Sequence, residues 1–422
     1  MTPPSSPRRH DVDNLRSLAV LLLVPFHTAR LFDATPWHMK DAAAPHAGAS
    51  VLLRAIELWQ MPLLFLLAGM AAAYALESRG PAAFLRERAA RLLLPLAFGI
   101  LVLVPPQVWV ERVTPAAPLR QSAPVFAGDF MAFLPEAFVC CYPAANFSWH
   151  HLWFLPYLLL YAVLLALVSR GGDVRRLAAW IAASPWRLLL PAGLLVALEL
   201  LLRPAFPGSH DLVADWANHA HYGLLVILGW WFARNAALEA AVTRRWGLLT
   251  GLALLAAALW FAGLPAARGG MGLLDLSLPA RLALRTAAEW LVLLALLAAA
   301  RRWLAHRVPI LVSFAPLSFA FYMLHQTVIV LLGWTLFDWT GAPLSKGLVI
   351  AAATFVISLG GAALIGRTAW LRPLFGMGAV GRRVGGTARC EAQAQPPTSQ
   401  FQPPSAATLF TAASGRSQAH QP

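Results

Sequence analysis

Apolar residues run in blocks of roughly 20 along this chain, divided by short stretches rich in arginine, proline and glycine. A block of that length crosses a hydrocarbon core ~30 Å thick as a helix. The blocks predict helices near 14–33, 51–76, 89–110, 151–169, 186–203, 219–234, 246–263, 282–300, 310–333 and 347–370. The expected fold class is therefore an all-α polytopic membrane protein with about ten transmembrane helices. One connection is long: residues 111–150 carry Pro115, Pro118, Pro124, Pro135, Cys140, Cys141 and Pro143, and a polar loop of that length binds something or covers a site. Beyond Gly378 the chain turns to Gly, Gln, Pro, Ser and Ala, too poor in apolar residues to fold. The expected plan is an N-terminal segment 1–13, a membrane domain 14–375 and a disordered tail 376–422. No repeat of fixed period and no inverted pair of broken helices is visible.

Composition sharpens the picture. Of 422 residues 59% are hydrophobic and 12% charged, against about 25% charged in a soluble domain, which excludes a soluble enzyme. The net charge of +14 calls for no nucleic acid, because the basic residues sit in the short loops. Sorted by side, 23 of the 33 Lys and Arg fall in alternate segments. The positive-inside rule makes those segments cytoplasmic, together with both termini. The first block has no small-residue cleavage pattern, so it reads as a retained span rather than a signal peptide. Three cysteines, two adjacent and one in the tail, make neither a disulfide framework nor a metal-ligand spacing, and no metal is expected.

Charge in hydrocarbon costs several kcal/mol, so polar residues within the blocks mark function. The first block carries Asp13, Asn14 and Arg16 at its inner end and His27 beyond mid-membrane; eleven residues of helix put Arg16 and His27 near one face, about 16 Å apart. The second enters from outside with Arg54, Glu57, Gln60 and Met61-Pro62, and the third opens on Arg86, Arg88 and Arg91. Guanidinium forks suit polyphosphate. The fourth opens His150-His151-Leu-Trp153, where two successive histidines cannot both face one helix groove, so at most one is expected in a site. The ninth holds Tyr322 and His325-Gln326. Each has an ordinary alternative: local pairs for Asp13 with Arg16 and Arg54 with Glu57, a solvated cluster for the arginines, a backbone-bonded ring for His325. The polar groups of the first, second, fourth and ninth blocks fall at a similar outer depth while the arginines gather at the inner end, which describes a cavity with an anion-binding inner mouth and an imidazole-bearing outer chamber.

Arg9-His-Asp-Val-Asp13-Asn-Leu-Arg16 followed by ten residues and then His27, Met61-Pro-Leu-Leu-Phe-Leu-Leu-Ala-Gly69, Arg88-x-x-Arg91, His151-Leu-Trp153-Phe-Leu and Phe321-Tyr322-Met-Leu-His325 together resemble the membrane acyltransferase 3 family. The look is closest to its glucan-biosynthesis protein C branch, over residues 8–375. The resemblance implies a multi-pass enzyme of the bacterial inner membrane. Such an enzyme moves an acetyl or succinyl group from acetyl-CoA or succinyl-CoA to a hydroxyl of an extracytoplasmic sugar or glycan. By the resemblance His27 is the catalytic histidine, and Arg16, Arg88 and Arg91 are donor-side groups. Glu57 or another polar group would orient the imidazole or the sugar. Trp153, Gln60 and His325 are candidates to hold the oxyanion, and His151, Trp153, Gln60 and Arg54 line the acceptor side. The alternative function is a proton-coupled transporter or flippase of a polar or glycan substrate.

Overall fold

Prolines decide where the helices break. In the computed structural model, which describes residues 9–41, 45–114, 125–169, 175–264 and 273–378, the first predicted block is two helices, α1 (His10–Leu21) and α2 (Leu23–Ala29). Pro25 lacks an N–H and its ring crowds the carbonyl four residues back, that of Leu21, so the helix is interrupted one turn ahead of it. The same cause separates α3 (Ala47–Glu57) from the helix starting at Gln60, since Pro62 stands four residues after Leu58. Both breaks lie next to candidate site residues, His27 in the first case and Glu57 and Gln60 in the second.

The helix α4 (Gln60–Phe98) is itself divided at Gly80, whose φ of 73° no L side chain adopts readily, with Pro81 following. Arg79 pairs with Glu87 across this break; eight residues of straight helix would separate them by about 12 Å. A π-helical turn, Gly99–Leu103, leads into α5 (Pro105–Val113). Next come the short α6 (Phe130–Phe133), a 3-10 turn His150–Trp153, α7 (Phe154–Val168), α8 (Arg175–Ala182) and α9 (Leu190–Leu202). The chain continues through α10 (Trp216–Ala233), α11 (Ala236–Arg244), α12 (Trp246–Ala262) and α13 (Leu278–Trp303). It closes with α14 (Pro309–Phe314), α15 (Ser318–Thr335) and α16 (Pro343–Arg367).

The described residues contain no strand, so the chain is an all-helical polytopic membrane protein. Among the described residues five helical runs are long and apolar enough to cross a bilayer, and two bent pairs, α8 with the 186–202 stretch (115°) and α10 with α11 (96°), raise the number to seven. Helix length thus does not establish ten spans. The run Ala47–Val113 counts once although it holds two predicted blocks, α12 has only 17 residues, and the first block is broken at Leu22. Two boundaries also shift. The first helix starts inside the segment expected to precede it, with Asp11 buried, and α5 carries Glu111 and Arg112, which the sequence placed in the outer loop. Residues 1–8, 115–124 and 379–422, with Pro115, Pro118, Pro124 and Cys390, lie outside the described residues. Cys140 and Cys141 are bonded to each other and so staple no distant segments.

The core is centred on α4 and α10, which touch backbone to backbone. A Cβ on Gly69 would stand 2.0 Å from the Val226 carbonyl oxygen, and one on Gly229 would stand 1.9 Å from that of Leu66. Small residues at such a crossing are what let two helices approach without intervening side chains. Around this contact Phe65, Tyr161 and Tyr222 pack ring to ring, with Phe65 and Tyr222 stacked 4.4 Å apart. Leu348, Val356 and Leu364 on the outer side of α16 are exposed, as lipid-facing residues of a membrane helix are. Packing of α4 on α10 and α7 fixes the inner wall of the cavity described next.

Candidate active site

The short helix α2 presents His27 to a cavity of about 760 Å³. Its Nδ1 is buried without a hydrogen-bond partner. Three imidazoles meet here: the ring of His325 lies 5.1 Å from that of His27 and 5.5 Å from that of His151. The other two rings are each tied to the backbone. His325 Nδ1–H donates to the Tyr322 carbonyl at 2.5 Å and His151 Nε2–H donates to the Met323 carbonyl at 3.0 Å. A carbonyl only accepts, so these contacts fix both tautomers. They leave His325 Nε2 and His151 Nδ1 as buried, unpartnered acceptors. The helix carrying His325 is held by Gln326, whose amide donates to Gln107 Oε1 at 3.0 Å.

Glu57, Arg54, Gln60, His151 and Trp153 all line the same cavity as His27. His325 does not; it backs the two histidines that do. The local alternatives hold at the same time, since Arg54 stands 3.6 Å from Glu57 and Arg16 Nη2 bonds Asp13 Oδ1 at 2.9 Å. Gln60 Nε2 donates to the Ala19 carbonyl at 2.7 Å, which ties α4 to α1 and leaves it a second N–H. The rule that only one of His150 and His151 can face a site fails, because both line the cavity. His150 has φ 40° and sits in a 3-10 turn, so the helical geometry behind the rule does not apply.

Arg16, Arg88 and Arg91 lie away from this cavity. Arg88 is within electrostatic reach of Arg16, Arg79 and Arg91. Their states differ. Arg16 is held by Asp13 and Arg91 by Glu87 at 3.2 Å, while Arg88 rests 5.2 Å over the Phe84 ring and has no carboxylate partner among the described residues. Arg9, in the same opening motif, bonds Asp11, Glu239 and the Tyr74 hydroxyl, each at 2.8 Å. It clamps the chain start onto α4 and α11.

Several cavity residues were not found from the sequence. His38 and His150 have ring centroids 4.1 Å apart, Trp153 stacks on His210 at 4.1 Å, and Tyr142, Tyr222 and Arg285 complete the wall. One signal was present: the dipeptide Trp-His occurs as Trp37-His38 and again as Trp149-His150. A largely buried ionic network also went unread. Arg203 grips both carboxylate oxygens of Glu199 at 2.7 and 2.8 Å, and His221 lies 3.0 Å from Glu199 and 2.7 Å from Glu289. His221 and Glu289 were hidden in ordinary apolar blocks.

Residues 9–367 match the acyltransferase domain that defines the acyltransferase 3 family. The chain belongs to that family. It is an acyltransferase, moving groups other than aminoacyl groups, and membership decides for the transferase over the transporter that the sequence left as an alternative. No curated protein and no solved structure matches the chain. Within an acyltransferase 3 protein the cavity can bring a hydroxyl against an unpaired imidazole, with a carboxylate and ring faces on the same wall.

Proposed function

We propose that this acyltransferase 3 protein is an O-acyltransferase of the glucan-biosynthesis protein C type. It would take an acetyl or succinyl group from a cytoplasmic acyl-CoA and place it on a hydroxyl of an extracytoplasmic sugar or glycan, in a bacterial inner membrane. The ten-span plan with both termini inside belongs to this proposal and rests on the arginine asymmetry of the loops. The observation that carries it is His27, unpaired at Nδ1, on the wall of a cavity large enough for a sugar. His27 takes the proton of the acceptor hydroxyl as its oxygen attacks the thioester carbonyl; the C–S bond breaks and the coenzyme leaves as the thiol once protonated. Glu57 supplies the nearby carboxylate. Trp153 and Tyr222 offer the flat apolar faces on which a sugar ring rests. An acyl-histidine on His27 is the covalent variant of the same step.

Mass spectrometry of envelope glycans and lipids from cells with and without the protein tests this reading. The expected result is one acyl mass lost with the protein; no difference under any growth condition that expresses it would overturn it.

The donor side gives a second expected result. Of Arg16, Arg88 and Arg91, Arg88 is the one with no carboxylate partner among the described residues, so Arg88→Lys, which keeps the charge and loses the planar fork, should weaken acyl-CoA use. Loss of one charge-assisted hydrogen bond costs roughly 1.5–3 kcal/mol, or about one to two decades in donor affinity. The acceptor's saturation curve should barely move, since its cavity is elsewhere. Both curves are measured in inside-out vesicles, and an equal loss on each would reduce Arg88 to a topological or folding role.

A further inference from the structure

Where the chain after α2, the end of α5 and the turn before α7 meet, three side chains converge. His38, Glu111 and His150 each offer a ligand atom, and these atoms lie within 4.8 Å of one another. We propose that they form a binding site for a divalent cation of the zinc class on the wall of the cavity.

Donor chemistry selects the ion. Two imidazole nitrogens and one carboxylate oxygen are a set that zinc takes at about 2.0–2.2 Å, commonly with a fourth position left to water or substrate. Magnesium and calcium ask for oxygen alone. Tetrahedral ligands at that range stand roughly 3.3–3.5 Å apart, and His38 Nδ1 already lies 3.0 Å from Glu111 Oε2. Small side-chain movements would bring the third ligand in. His38 and His150 line the cavity, so the fourth position opens onto it.

A simple ion pair between His38 and Glu111 would explain only part of what is seen. It leaves His150 unexplained, because His150 Nε2 is buried with no hydrogen-bond partner while its ring packs 4.1 Å from that of His38. The partners of the three residues are arranged as those of metal ligands usually are. His150 Nδ1 is hydrogen-bonded to Ser148 Oγ at 3.0 Å, which frees Nε2 for the shared point. Glu111 Oε1 accepts from the Tyr142 hydroxyl at 3.1 Å and from Arg112 Nη1 at 3.2 Å, leaving Oε2 to face His38. Arg112 in turn bonds Asn146 Oδ1 at 2.9 Å and the Ala145 carbonyl at 3.0 Å. The cation would thus pin the outer loop to α5 and to the chain leaving α2, at the rim of the chamber.

The test uses the full chain in detergent, with any affinity tag removed, stripped by chelator and titrated with zinc chloride. Expected is about one zinc per chain, retained through gel filtration, with affinity reduced at least tenfold in Glu111→Gln and in His150→Gln. His27→Ala, outside the trio, should bind zinc like the parent, so failure of the acyl-transfer reading and failure of this site give different results. Absence of stoichiometric zinc, or equal binding by the parent and both ligand variants, would overturn the proposal. Should either variant fail to fold, X-ray absorption of the zinc-loaded parent decides: nitrogen and oxygen neighbours alone support the site, and a sulfur neighbour would overturn it.

Discussion

His27→Ala is expected to lower acyl transfer by about 10²- to 10⁴-fold, the range a positioned general base supplies, while the protein still accumulates in the membrane. Loss of stability should be small, since Nδ1 makes no hydrogen bond that the substitution would break. Neither neighbouring histidine is an equal substitute. His325 and His151 each spend one ring nitrogen on a backbone carbonyl, and His325 does not line the cavity. His27 lines the cavity with Nδ1 unpartnered, so that nitrogen is available to take a proton from a hydroxyl. Single-turnover transfer from labelled acyl-CoA in proteoliposomes, normalised to protein amount, measures the effect. Activity above a tenth of the parent's would move the base to His325 or His151.

The second large effect concerns folding. His221 is the hydrogen-bond partner of Glu289, at 2.7 Å, and Glu289 Oε2 has no partner among the described residues. His221→Phe therefore strands a buried carboxylate, whereas Glu199 keeps Arg203. Breaking a buried pair from one side costs about 3–5 kcal/mol, which should appear as a much lower melting temperature and loss of monodisperse protein in detergent. Removing both partners is a different matter, because no charge is then left unpaired. The double variant His221→Phe/Glu289→Leu should recover most of the stability. If the single and double variants melt alike, the network contributes nothing as a pair and its residues act only through packing.

Much of this protein is determined by its sequence alone. Blocks of apolar residues long enough for a bilayer specify helices, and Pro25, Pro62 and Pro81 specify where three of them break, because a missing N–H and a ring clash act locally whatever the rest of the chain does. Depth is legible for the same reason: position along a helix follows from residue count, so His27, Glu57, Gln60 and His151 could be placed at one level, and one cavity does collect them. Rotation is not legible. A membrane helix that is apolar on every side has no polar stripe to say which face looks inward. That left open that His325 backs the lining histidines rather than lining the cavity, and that Gln60 bonds the Ala19 carbonyl. The arginine cluster was read from two motifs, one holding Arg16 and the other Arg88 and Arg91, but which guanidinium is unclaimed depended on where Asp13 and Glu87 fell. His38, Glu111 and His150 come from segments far apart in the chain, and His221 meets Glu199 and Glu289 from three different helices. Such meetings depend on how helices pack and how loops return over them, through backbone approaches like that of Gly69 to α10, and no local pattern of residues encodes them. The tertiary structure alone decides which polar groups share a site.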